Sequence, residues 1–220
     1  SRIANKFMAA VPDEEPIVTN AKKAMLTLNS LSQVMNDRYK LFEKAGVCDI
    51  KAYNKMYVNH RLRLVDGHEF LPYIVVVINE FSDLILTYGK DAEDLIVSIA
   101  KKGGDVGIHM VITILSPTNS IVTDAIKDNI PGRIAFKMNL ESDSQMILGY
   151  PDANRLVGRG DMFCIKNKEL VRVQCAFVDT AEIERVTEYI SLQPGPIEPW
   201  ELPEPPIEKD DRLSNATMDE

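Results

Sequence analysis

The stretch Leu71-Pro72-Tyr73-Ile74-Val75-Val76-Val77-Ile78-Asn79-Glu80 decides how the rest of the chain is read. Five consecutive aliphatics, Ile74 to Ile78, are far fewer than a membrane span needs and are rich in β-branched side chains. They predict a strand buried on both faces, as at the centre of a parallel sheet. Asn79 and Glu80 follow where that strand should end. In open α/β sheets the carboxyl ends of the strands are where ligands bind. A hydrophobic strand that finishes in two acids is the Walker B pattern, in which the first acid serves Mg²⁺ and the second polarises water. Here the first acid is an amide.

Upstream of this strand, Thr19-Asn20 are good N-cap residues. Ala24, Leu28, Leu31, Met35, Tyr39 and Phe42 then recur at helical spacing until Gly46. One long amphipathic helix over 21–45 follows, then a shorter one over 50–58. An acidic turn at 12–16 precedes them, and a basic cluster, His60-Arg61-Leu62-Arg63, leads to the strand. Downstream, Leu84, Ile85, Leu95, Ile96 and Ile99 predict a helix closed by Gly103-Gly104. The segment 107–113 predicts a second buried strand, with His109 as a core histidine. A short helix over 121–127, a strand over 133–138 and a helix over 142–148 come next. A hairpin pairing 162–165 with 171–177 through a turn at Asn167, and a helix over 181–192, complete the body. The predicted class is α/β: a mostly parallel central sheet flanked by helices, with an antiparallel hairpin at one side.

Charge is unevenly distributed. Residues 193–220 hold eight acids against Lys209 and Arg212, a balance of −6, and six prolines between Pro194 and Pro206. The other 192 residues carry 25 acids and 23 bases, or −2. The body is near neutral, without the basic bias of a protein that holds nucleic acid unaided. Residues 1–192 are therefore read as one domain and 193–220 as an acidic, proline-rich tail or linker. Cys48, Cys164 and Cys175 share no metal-ligand spacing, so no metal site is expected and free thiols in a reducing compartment are. No signal peptide is visible at the start and no run is long and apolar enough to span a bilayer.

Residues 5–192 resemble the motor domain of the FtsK/SpoIIIE family of double-stranded DNA translocases, which has a RecA-like P-loop NTPase fold. The resemblance is carried by Leu-Pro-Tyr-Ile-Val-Val-Val-Ile-Asn-Glu-Phe-Ser-Asp-Leu at 71–84 and Gly-Ile-His-Met-Val-Ile at 107–112. Ile-Lys-Asp-Asn-Ile-Pro-Gly-Arg-Ile-Ala-Phe at 126–136, Gly-Arg-Gly-Asp-Met at 158–162 and Val-Arg-Val-Gln-Cys-Ala-Phe-Val at 171–178 continue it. It implies ATP and Mg²⁺ as cofactors, assembly into rings, and coupling of hydrolysis to DNA movement in chromosome segregation. It also implies a cytoplasmic motor, often tethered to the membrane through a separate N-terminal region.

The chain departs from the family pattern where the chemistry is done. No Gly-x-x-x-x-Gly-Lys-Ser/Thr loop occurs in these residues; the only Gly-Lys pair, Gly89-Lys90, is followed by Asp91. The resemblance begins downstream of where that loop belongs. Asn79 stands at the Walker B aspartate and lacks the full charge that fixes Mg²⁺ and its waters. The family's Ala-Thr-Gln-Arg-Pro corresponds to Thr113-Ile114-Leu115-Ser116-Pro117, so Leu115 and Ser116 replace a glutamine and an arginine. Two further arginines of the pattern correspond to Gly104 and Gln145. Glu80 remains as a residual water-orienting acid without a metal or γ-phosphate partner. On the DNA side Lys127 and Arg133 match the family. Asp124 and Asp128, however, stand where it carries small residues, which opposes phosphate binding. Lys127 reads equally well as a solvated helix end, and Arg133 as a strand-edge contact.

Three functions follow as expectations. The first is a motor domain that has lost ATP hydrolysis and persists as an assembly or interaction module, paired with itself or an active paralogue and contacting double-stranded DNA only weakly. The second is the distal part of an ATP-driven DNA translocase whose P-loop lies upstream. The third is a non-motor adaptor acting through its acidic tail. None involves a membrane contact by this chain.

Overall fold

Asn20 opens the longest helix by accepting hydrogen bonds at Oδ1 from the backbone N–H groups of Lys22 (2.8 Å) and Lys23 (3.4 Å). Gly46, in the left-handed conformation, closes it. This is α1, Ala21–Ala45. The computed structural model describes residues 8–10, 17–166, 169–195 and 200–204. The acidic turn read at 12–16, the Asn167 turn and the 196–199 and 205–220 parts of the acidic segment lie outside them.

In chain order the remaining elements are β1 (Ala9–Ala10, ahead of α1), α2 (Ile50–Val58), β2 (Ile74–Ile78), α3 (Ser82–Tyr88) and α4 (Lys90–Lys102). Then follow β3 (Ile108–Ile112), α5 (Asp124–Asn129), β4 (Arg133–Phe136) and α6 (Glu141–Leu148). β5 (Asp161–Lys166), β6 (Glu169–Gln174), α7 (Thr180–Leu192) and β7 (Trp200–Glu201) complete the fold. β2 and β3 pair in parallel, Ile74 opposite Ile108 through Ile78 opposite Ile112. β4, β5 and β6 form an antiparallel sheet in that order, so the strand at 133 joins the hairpin. The single helix expected after Glu80 is two. Gly89, at φ 52° and ψ −122°, turns the chain between α3 and α4 through a conformation that side chains with a Cβ scarcely adopt.

The main core lies on one face of the parallel pair. Met35 and Phe42 of α1, Tyr53 of α2, Phe81, Leu84 of α3, and Ala92, Ile96 and Ile99 of α4 are all essentially inaccessible there. Each large side chain of this kind contributes about 1.5–3 kcal/mol by leaving water. A second, smaller core of Ala135, Leu148, Ala153, Leu156 and Ile165 sits under β4 and β5.

Two expectations are corrected by this arrangement. β2 is not buried on both faces: Ile74, Val76 and Ile78 point to the helices, while Val75 and Val77 are 63% and 65% exposed. His109 is likewise not a core histidine but an exposed residue of β3, stacked on Tyr73 with ring centroids 5.8 Å apart. The reason is the same for both, because among the described residues the helical layer covers only one side of the pair.

The acidic segment is docked where it is described. Trp200 and Glu201 pair in parallel with Ala9 and Ala10, Leu202 is 2% exposed, and the Arg38 guanidinium lies 5.9 Å from the Trp200 ring. α7 is capped by Asp179, whose side chain accepts from Glu182 N–H, and none of its residues is buried.

Candidate functional site

Because β2 and β3 are in register and parallel, their carboxyl ends lie side by side. Thr113 N–H donates to Ile78 O (3.0 Å) and Phe81 N–H to Thr113 O (3.1 Å), so the pairing continues just past both strands. The Thr113 hydroxyl then serves two partners: it donates to Asn79 Oδ1 at 2.8 Å and accepts from the Glu80 N–H at 3.3 Å. Glu80 itself sits at φ 58°, in the left-handed region where a residue with a Cβ is strained. Phe81, fully buried directly after it, anchors the turn into α3.

That turn aims the Glu80 carboxylate across the strand end. Its Oε1 accepts weakly from the Leu115 backbone N–H (3.4 Å) and from the Ser82 hydroxyl (3.5 Å). Asn79, Glu80 and Leu115 are therefore brought together at the carboxyl end of the strand pair, with Ser116 next along the chain. Leu115 contributes its backbone, while its side chain is 86% exposed. An amide paired to a hydroxyl and one carboxylate make a polar, singly charged cluster. Such a set can orient a water, but it offers Mg²⁺ less charge than two carboxylates would. Among the described residues no group of three or more His, Cys, Asp or Glu is placed to hold a metal ion.

The two basic residues are not part of this cluster, nor are they free. Lys127, on α5, pairs with Asp124 at 2.7 Å, and its ammonium holds the Asp124 carboxyl below the usual range. Arg133, on β4, donates through Nη1 to Ile147 O at 3.1 Å, with its Nε buried and unpartnered. The residue that sequence reading missed is Thr113. Its signal was a hydroxyl at the end of β3, at a position where the family pattern has alanine.

The FtsK/SpoIIIE family model matches residues 8–119, a span that includes α1, β2, β3 and the whole strand-end cluster. The chain belongs to the FtsK/SpoIIIE family. It is 40% identical over 177 residues to the DNA translocase FtsK of Bacillus cereus, a match covering 80% of this chain and 22% of that protein. It is 36% identical over 208 residues to the DNA translocase FtsK of Chlorobaculum tepidum, covering 93% of this chain and 25% of that one. The chain thus spans about a quarter of the length of these FtsK relatives.

Solved structures agree on the fold. The pCW3 conjugation coupling protein TcpA, in a monomer form with ATPγS, superposes with a TM-score of 0.68 at 23% identity. That match covers 79% of this chain and 49% of TcpA. The cytoplasmic domain of the Thermomonospora curvata type VII secretion ATPase EccC also gives 0.68, at 20% identity, covering 93% of this chain and 26% of EccC. At these identities the likeness concerns the fold alone, and it agrees with a RecA-like α/β architecture. No helix among the described residues is long and apolar enough to cross a membrane.

Proposed function

We propose that this chain is an FtsK/SpoIIIE motor domain, or a piece of one, that has given up ATP hydrolysis and serves as an assembly module. The reading is carried by one observation. The Walker B aspartate position is an amide, Asn79, and its oxygen already accepts a 2.8 Å hydrogen bond from Thr113. A strand end satisfied in this way offers a Mg²⁺–ATP complex only the single carboxylate of Glu80. Leu115 and Ser116, at the sensor positions of the family pattern, supply no charged group that could stabilise a transferring phosphoryl. On the DNA side, the Lys127–Asp124 pair leaves a phosphate backbone little positive charge to meet at that point. A homo-oligomer or an active paralogue is the partner this module would serve.

A second reading is favoured by the coverage of about a quarter of each FtsK relative and by the bare valine face of β2 and β3. In it the chain is the distal part of an ATP-driven double-stranded DNA translocase for chromosome segregation, with the P-loop upstream. One experiment separates the two. Mg²⁺-ATP binding by calorimetry and hydrolysis by phosphate release are measured on the longest natural polypeptide containing this chain. The first reading expects no hydrolysis that depends on Glu80. Turnover that disappears in Glu80→Gln would overturn it in favour of the second.

A further inference from the structure

The segment from α2 to the turn before β2 takes no part in the strand-end cluster, yet its surface combines cations with an apolar projection. Residues 50–65 contain Lys51, Lys55, His60, Arg61 and Arg63 and no acid, in a chain whose formal net charge is −8. All five basic side chains are exposed. Lys51, Lys55 and Val58 fall on one side of α2 at spacings of four and three residues. Leu64 and Val65 lie beyond them in a single 3₁₀ turn, Leu64–Asp66, at 70% and 80% exposure.

An apolar pair held out in water beside cations could simply belong to a loose loop. This one is pinned at both ends. His60 N–H donates to Tyr57 O (2.9 Å) and Arg61 N–H to Met56 O (3.0 Å), tying the start of the loop to α2. At its far end His68 is buried, with Nδ1 3.0 Å from the hydroxyl of the fully buried Tyr53. The Asn54 side chain brackets Leu71, donating to its carbonyl (2.8 Å) and accepting from its N–H (3.0 Å). Of the nearby acids, Asp49 is occupied as the N-cap of α2, and Asp66 approaches Arg63 only at 3.9 Å. The turn is thus a fixed projection with an apolar tip and a cationic base.

We propose that this face, residues 51–65, is a peripheral docking surface for an anionic lipid bilayer. A headgroup layer supplies phosphates for Lys51, Lys55, Arg61 and Arg63, and the acyl boundary just beneath it accepts Leu64 and Val65. Duplex nucleic acid offers the charge but no apolar counterpart for a projecting Leu-Val tip. The formal charge of −8 on the whole chain makes a segment with five basic residues and no acid the favoured approach to an anionic bilayer. No spanning segment is involved.

The test is co-sedimentation of the 220-residue chain with vesicles of phosphatidylcholine alone and of phosphatidylcholine mixed with phosphatidylglycerol. The expected result is binding to the anionic vesicles only, weakened by added salt. Arg61→Glu/Arg63→Glu and Leu64→Asp/Val65→Asp should each weaken it by about tenfold or more. Ile183→Asp/Val186→Asp, on the exposed apolar stripe of α7, should leave it unchanged. Three results would overturn the proposal: equal binding to both vesicle types, loop variants that bind like the parent, or loss confined to the α7 variant. Binding of a DNA duplex that the Arg61/Arg63 change abolishes, with no vesicle binding, would overturn it in favour of nucleic acid. These outcomes are independent of whether the strand-end cluster hydrolyses ATP.

Discussion

The hydroxyl of Thr113 lies 2.8 Å from Asn79 Oδ1, so the residue just past β3 satisfies the amide just past β2. The same oxygen accepts from the Glu80 N–H, which ties the strand-end turn of β2 to its neighbour. Thr113→Val should therefore destabilise the chain by about 0.5–1.5 kcal/mol, the net value of an ordinary hydrogen bond. Asn79→Asp keeps the acceptor and should change stability by less than about 1 kcal/mol. The proposed loss of hydrolysis predicts that, in the longest natural polypeptide, Asn79→Asp raises Mg²⁺-dependent nucleotide binding and leaves turnover negligible with Leu115 and Ser116 in place. Urea titration and calorimetry check the two parts.

Glu80 holds a left-handed backbone conformation that strains a residue with a Cβ. At φ 58° a Cβ costs about 1–2 kcal/mol, and glycine returns part of that through its more flexible unfolded chain. Both Glu80→Ala and Glu80→Gly lose the weak contacts to Leu115 and Ser82. The glycine variant should nevertheless be the more stable of the two by about 0.5 kcal/mol or more. Paired denaturation curves decide it, and equal stabilities would mean the turn relaxes without strain.

Leu202 tests the docking of the acidic segment. If residues 200–204 hung free, Leu202→Ala would change nothing. Buried to 2% against the α1 side of the core, it should cost about 2–4 kcal/mol. The accompanying signal is a change in Trp200 fluorescence, since Trp200 is the only tryptophan and leaves the Arg38 guanidinium with the strand.

Gly107 sits at φ 80° immediately before β3, where a Cβ would run into Ile50 Cδ1 and approach Tyr73 Cδ1 at 3.3 Å. Its carbonyl accepts from Ile74 N–H at 2.8 Å, so the turn also sets the β2–β3 register. Gly107→Ala combines a left-handed backbone with a crowded site and should cost about 2–4 kcal/mol. Restoring space with Ile50→Ala in the same chain should recover less than it removes, because the backbone strain persists.

Asp161 gives the antiparallel sheet a pH dependence. Its carboxylate accepts two hydrogen bonds from Arg172, through Nε at 3.0 Å and Nη2 at 2.7 Å, and a third from Val157 N–H at 2.8 Å. The Arg172 bonds foremost, then Val157, lower its pKa from 3.8 to about 2. A carboxyl held lower in the folded state stabilises it above pH about 3.8, and the contribution disappears as pH falls toward about 2. Asp161→Asn should be less stable than the parent at neutral pH. The two melting temperatures should converge between about pH 4 and about pH 2.

Much of the local structure was legible because its causes are local. Asn20 and Gly46 bound α1 through hydrogen bonds within a turn of the helix, and Asp179 does the same for α7. The run Ile74–Ile78 is a strand because its β-branched side chains favour one, and the family resemblance then identified its end. The turn at Gly89 was missed because the apolar spacing of 84–99 continues through it. A φ of 52° leaves no trace in hydrophobic pattern. At the strand end the resemblance pointed to Asn79, Glu80, Leu115 and Ser116, but not to the Thr113 hydroxyl that joins the first two.

What the amino-acid sequence determined by itself was therefore most of the elements, their order and the family. These depend on short-range propensity and on motifs read along the chain. What only the tertiary structure decided was exposure and partnership: the open valine face of β2, the exposed His109, the Thr113–Asn79 bond and the pairing of Trp200 with Ala9. Each of these depends on whether a second segment, distant along the chain, lies against the first. That is a matter of packing free energy summed over the fold, which no window of neighbouring residues contains.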